Sequence, residues 1–173
     1  GGLVETLEKI GQRDNTYVFV ISDHGDMLGE RGMWYKFNPY EASVRVPMIA
    51  MGPGLKQGHR ETALTTLVDL LPTFADIANG GSYSDYVAPI DGRSLFDLPE
   101  AGSEDDLVFF EYCGEGVHDP ALMCRHRNMK YVRCGADPEM LFDLVADPYE
   151  QRNLAGEPAY ADTITTMRDR VAG

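Results

Sequence analysis

One stretch concentrates the residue types from which hydrolytic sites are built: Ser22-Asp23-His24-Gly25-Asp26, then Glu30-Arg31, then Lys36. Aspartate offers a hard anionic oxygen and histidine a neutral nitrogen, and neighbours in a turn can aim both at one cation. Gly25 lets the backbone come close. The same residue types also make an Asx turn with a hydrogen-bonded imidazole, and the sequence alone leaves both readings open. Asp26, Glu30 and Arg31 could form a local ion-pair set that shapes a glycine-hinged loop. Lys36 follows two bulky aromatics, Trp34 and Tyr35. Its compact charge suits a developing oxyanion, while its stem equally suits covering an aromatic face.

This cluster ends an apolar run, TYVFVIS (residues 16–22), which reads as a fully buried strand of the kind found inside parallel sheets. In open α/β sheets ligands gather at the carboxyl ends of strands. LVETLEKIGQR (3–13) places Leu3, Leu7 and Ile10 on one helical face before it. VPMIAMGPG (46–54) repeats the short apolar strand. LTTLVDLLPTFADIANGG (64–81) runs from an extended segment into a helix; Asp69 is placed to cap it, Pro72 falls in the first turn, and Asn79-Gly80-Gly81 stops it. From residue 106 the pattern changes to strands at hairpin spacing: LVFFEY (107–112), PALMCRH (120–126), MKYVRC (129–134) and EMLFDL (139–144). An amphipathic helix, residues 159–172, closes the chain. The reading is strand–helix units over residues 1–100 and an antiparallel sheet closed by a helix over 101–173.

The 173 residues suffice for a real core, with 43% hydrophobic and 25% charged residues. A formal charge of −13 argues against a nucleic-acid partner. The basic run RHRNMKYVR (125–133) reads as a strand pair with solvated charges. No segment reaches the roughly 18 apolar residues of a membrane helix. Three cysteines, Cys113, Cys124 and Cys134, show no C-x-x-C spacing, which fits a reducing, cytoplasmic setting.

VFVISDHGDMLGERGMWYKFNPYEASVRVPMIAMGPG resembles the second metal motif of the type I sulfatases, in the alkaline phosphatase superfamily. The likeness continues through LVDLLPTFADIA, DGRSL and MKYV…LFDLVADPYEQRNLA, and the tail EYCGEG…ADPEMLFDLVADPYEQRNLA is most similar to choline-sulfatases. The resemblance implies an α/β fold: the C-terminal part of an alkaline-phosphatase-like sandwich plus a small antiparallel sheet packed on a helix. It implies Asp23 and His24 as ligands of one divalent ion, Ca2+ first and Mn2+ as the alternative that an imidazole ligand suits. Lys36 would contact the sulfate and steady charge on the leaving oxygen. The family's nucleophile is a formylglycine made from Cys or Ser in C/S-x-P-S-R. None of Cys113, Cys124 or Cys134 begins such a motif, so the chain is expected to represent a C-terminal portion that is inactive alone.

The implied substrate is choline sulfate. A quaternary ammonium donates no hydrogen bond and needs aromatic faces and an anion. FFEYCGEG (109–116) offers Phe109, Phe110, Tyr112, Glu111 and Glu115. Alternation puts Glu111, Cys113 and Glu115 on one side, and the resemblance makes Glu115 the ammonium partner. Without the resemblance, Glu111 reads as structural and Glu115 as a solvated loop charge. His59, His118 and His126 read as structural or exposed, Arg45 as a loop buttress, and Glu41 as orienting nearby backbone. The expected parent is a homo-oligomer. Two alternatives stand: a phosphonate or phosphodiester hydrolase of the same superfamily, and a non-catalytic remnant.

Overall fold

The computed structural model describes residues 1–80, 90–114 and 118–172. Helix α1 (Gly2–Lys9) leads to strand β1 (Val18–Ile21), then to a two-residue hairpin, β2 (Met27–Leu28) and β3 (Trp34–Tyr35), and a single helical turn, α2 (Glu41–Val44). Strand β4 (Met48–Met51) and helix α3 (Leu70–Asn79) follow. The remainder is β5 (Leu107–Tyr112), β6 (Ala121–His126), β7 (Met129–Cys134), β8 (Met140–Asp143) and helix α4 (Ala161–Ala172). Among the described residues, no helix is long and apolar enough to cross a membrane.

The first apolar strand differs from its expectation. β1 pairs antiparallel with β4, Phe19 opposite Ala50 and Ile21 opposite Met48, and Val20 and Ile49 are 55% and 63% exposed. A continuous apolar run carries no alternation that fixes pairing direction, so β-branched residues alone could not tell a parallel from an antiparallel partner. Leu3 and Ile10 on α1 are likewise exposed.

Helix α3 begins as expected but is capped differently. Thr66 is the N-cap of a short 3-10 turn, Leu67–Asp69, and Asp69 sits at the third position of a capping box: its Oδ2 accepts the Thr66 N–H at 2.9 Å. Asp69 Oδ1 also accepts the Arg93 N–H at 3.0 Å, tying DGRSL to the helix start. Pro72 is buried in the first turn, and Gly80, at φ 72, ends the helix.

β5 to β8 form one antiparallel meander in sequence order. Alternation gives its two central strands two buried faces. On one face Cys124, Tyr131 and Leu141 pack with Leu154 and with Ile164 and Met167 of α4, the principal core. The face is pinned by polar contacts too: Tyr131 donates to Glu139, whose carboxylate also receives two hydrogen bonds from Arg168 on α4. The other face carries Val108, Arg125, Lys130 and Phe142 across the four strands, and it meets the segment from Lys36 to Arg45. There the Tyr40 ring lies 6.2 Å from that of Phe142. The basic run at 125–133 is therefore not simply solvated: Lys130 is fully buried and Arg125 partly so.

Candidate active site

β1 stops because Ser22 turns the chain. Its Oγ donates to the His24 carbonyl at 2.8 Å, and Asp23 Oδ1 accepts the His24 N–H at 3.0 Å, one residue on instead of the two of the Asx turn that the sequence left open, so local hydrogen bonds hold the two side chains together. His24 Nδ1 lies 2.8 Å from the Gly25 carbonyl, which can only accept, so Nδ1 donates there and Nε2 faces outward. Asp23 Oδ2 is 3.3 Å from that Nε2. Lys36 Nζ lies 2.8 Å from the same Nε2, so the three side chains meet at the imidazole. Partial desolvation pushes the Asp23 carboxyl up, but the His24 N–H, the His24 ring and the Lys36 ammonium outweigh it and hold the group below its usual range.

The loop that brings Lys36 back is held by α2. The Gly25 N–H donates to the Ser43 carbonyl at 2.7 Å, and Ser43 Oγ donates to the Lys36 carbonyl. Contact between the turn and α2 is so close that a Cβ on Gly25 would lie 2.1 Å from the Ala42 carbonyl oxygen. Tyr35 takes φ 70 at the bend before Lys36. The expected ion-pair set is replaced by other contacts. Glu30 accepts the Leu28 N–H at 2.6 Å, and the Arg31 guanidinium lies 4.3 Å from the Tyr40 ring centroid. Arg31 has φ 54, a left-handed turn that directs it onto the aromatic instead of back along the loop.

Asp23, His24 and Lys36 open into a cleft of about 380 Å3. Phe37, Phe110 and Tyr112 provide aromatic wall, with Phe37 and Tyr112 rings 5.8 Å apart, and Met123, Arg125, Glu41 and Arg45 complete much of the rest. Val108, Phe110 and Tyr112 share the sheet face of Arg125 and Met123. Glu111 and Cys113 lie on the opposite, exposed side, where Cys113 Sγ contacts Glu111 Oε1 at 3.3 Å. Glu111 is thus not part of the cleft. Glu115 lies outside the described residues. His59 is exposed beside Glu61, and His126 is held by the Ser103 carbonyl at 3.0 Å, both away from the cleft.

Sequence reasoning missed an ionic network beneath this cleft. Lys130 Nζ contacts Glu41 Oε1 at 3.0 Å and Glu150 Oε1 at 2.8 Å. The second contact lacks the alignment of a hydrogen bond and is held by charge. Glu150 Oε2 accepts the Glu41 N–H at 2.7 Å, and Arg125 lies 3.6 Å from Glu41 Oε2. Glu150 adopts φ 56, a conformation an L side chain takes only when its surroundings hold it there. Glu41 and Lys130 are separated by 89 positions, so no local spacing announces them. The only sequence-level sign was a lysine inside a buried-strand pattern.

Residues 1–80 match the Sulfatase family model. A choline-sulfatase of Rhizobium meliloti (strain 1021) is 42% identical over 172 residues, 98% of this chain and 33% of that protein. The chain belongs to the sulfatase family. Its fold agrees: a putative sulfatase from Bacteroides thetaiotaomicron superposes with a TM-score of 0.83 at 30% identity, covering 98% of this chain and 38% of the other. A phosphonate monoester hydrolase from Silicibacter pomeroyi superposes with a TM-score of 0.81 at 30% identity, covering 99% and 37%. The sulfatase segment is α/β, as the sequence implied, and fits the C-terminal portion of such a chain. It spans about a third of the length of the curated relatives it matches.

The donor set fits a divalent ion in part. An aspartate oxygen and an imidazole nitrogen converge at 3.3 Å, a spacing two ligands of one ion can share. Among the described residues no third His, Cys, Asp or Glu joins them.

Proposed function

We propose that this segment forms one wall of a metal-dependent sulfuric ester hydrolase site, acting on choline-O-sulfate in the protein that contains it. The observation that carries the reading is the convergence of Asp23, His24 and Lys36 at the mouth of an aromatic-walled cleft. The 42% identity to a choline-sulfatase supports the ester class. Asp23 and His24 would hold the ion, Ca2+ or Mn2+, which when bound supplies Lewis-acid neutralisation of sulfate oxygens. Lys36 donates to a sulfate oxygen and stabilises the alkoxide as the S–O bond breaks. Phe37, Phe110 and Tyr112 exclude water and offer π faces to a trimethylammonium group, with Glu115 as its anionic partner. None of the 173 residues belongs to a C/S-x-P-S-R stretch, so we expect no turnover from this polypeptide alone and only weak metal binding.

Paramagnetic broadening by Mn2+ tests the site on the chain itself. The His24 ring and Gly25 amide signals should broaden first, and the effect should vanish in Asp23→Ala. Broadening centred elsewhere refutes the assignment, and a tight Ca2+ isotherm by calorimetry refutes the expectation of weak binding. A second reading rests on the phosphonate monoester hydrolase superposition: a phosphonate or phosphodiester substrate. Parallel assays on sulfate and phosphonate esters of one alcohol, with the protein encoded by the complete reading frame, separate the two. A reading frame without C/S-x-P-S-R or another nucleophile leaves the non-catalytic alternative.

A further inference from the structure

We propose that Lys130, buried in β7, is a positioning residue for the cleft: it fixes and neutralises Glu41, so that α2 holds Lys36 in place and Arg125 stays available to an anion. This rests on the reading of the cleft as an anion site.

Arg125 and Lys130 are directly opposed on neighbouring strands. Two cations in that relation repel, and a carboxylate between them is the arrangement that removes the penalty. Glu41 occupies that place, 3.0 Å from Lys130 Nζ and 3.6 Å from Arg125 Nη1. Lys130 is wholly buried, and its charge is met by Glu41 and Glu150 together. Glu150, despite its positive φ, also takes the Glu41 backbone N–H, so the first α2 residue is tied by its carboxylate to the sheet and by its backbone to the turn after β8. Two residues on, Ser43 bonds the Lys36 and Gly25 backbones.

The electrostatic consequence concerns the cleft directly. Glu41 borders it, and a sulfate group must approach there. With Lys130 present, Glu41 belongs to a buried ion set. Without it, Glu41 turns its charge on Arg125, takes that guanidinium for itself, and repels the incoming anion. Lys130 touches no substrate; it acts through Glu41.

The test uses inorganic sulfate as the probe and the full chain. Gly25 and Lys36 amide shifts are followed through a sulfate titration in the parent chain, in Lys130→Met, and in Lys130→Met/Glu41→Gln. Lys130→Met should weaken sulfate about tenfold, and adding Glu41→Gln should restore affinity to within about threefold. A purely structural lysine predicts loss of thermal stability with no such rescue, which would overturn the proposal. Gly25 amide exchange is measured alongside; it should quicken about tenfold in Lys130→Met while β6 and β7 amides stay protected. Unchanged Gly25 exchange also overturns the proposal, whether or not sulfate binds. If the parent chain shows no sulfate shift at Gly25 or Lys36, the anion-site reading fails and the proposal falls with it, whereas a parent that binds and a Lys130→Met variant that binds equally well refutes the positioning role alone. Should Lys130→Met not fold, Glu150→Gln, which leaves Lys130 paired with Glu41, must show the same exchange change in smaller measure.

Discussion

Gly25→Ala is the sharpest test of how the turn is held. At this glycine the obstacle is space, since its φ is not in the left-handed region. A Cβ would sit 2.1 Å from the Ala42 carbonyl oxygen and 3.4 Å from that of Ser43. The first figure is more than an ångström inside an ordinary contact, and the obstructing atom is backbone, which cannot rotate aside. The turn must separate from α2 by about 1 Å, at a cost of about 1–3 kcal/mol for overpacking. That shift also opens the 2.7 Å bond from Gly25 N–H to Ser43, removing about 1 kcal/mol more. For a chain of this size the sum lowers the unfolding midpoint by about 5–10 °C. Calorimetric melting measures it, with Gly156→Ala as control, because a Cβ there meets nothing within 4 Å. Since His24 and Asp23 move with the turn, Mn2+ broadening at His24 should weaken at least about tenfold. A Gly25→Ala chain that melts with the control and broadens normally would refute the account of the site's support.

Glu139 gives a pH test. The Arg168 guanidinium, with help from Tyr131, lowers its pKa to about 2 from the usual 4.5. A depressed carboxylate stabilises the fold above its unfolded pKa and loses that contribution as pH falls through its folded value, so the window is pH 4.5 to about 2. With Arg168 46% exposed, screening reduces the contribution to about 1 kcal/mol, and Glu139→Gln should flatten the stability–pH curve by that amount in urea melts. For the thiols, Cys124 is fully buried with its pKa pushed up to about 11 by desolvation, while Cys113 is exposed with its pKa raised by its bond to Glu111. Iodoacetamide should modify Cys113 in the native chain and Cys124 only in denaturant, and Glu111→Gln should speed the Cys113 reaction. Native labelling of Cys124 would contradict the packing under α4.

The sheet of β5 to β8 and helices α3 and α4 were legible because each carries its own period or punctuation. The four short strands recur at hairpin spacing, Pro72 opens a helix, and Gly80 ends one. The turn at Asp23-His24 and the return of Lys36 were legible through the likeness of this stretch to the second metal motif of the type I sulfatases, since the residue types alone left other readings open. Most of what stayed hidden depended on partners remote in sequence. β1 could not reveal that β4 would run antiparallel to it, because an apolar run has no face. Asp69 was expected to cap from the N-cap position and does so from inside the first turn, since Thr66 three residues earlier takes the other half of the box. Lys130 looked like a surface charge because the carboxylates that permit its burial come from α2 and from the turn at Glu150.

The alternation of β5 sets how the cleft tolerates change in length. Val108, Phe110 and Tyr112 face inward, while Glu111 faces out. One residue added to this strand would exchange the two rows and carry a carboxylate toward Lys36 in place of a ring. Two added residues would keep the rows and merely deepen the wall. Length drift in this hairpin is therefore constrained to even steps, whereas the loops at either end of it are under no such parity.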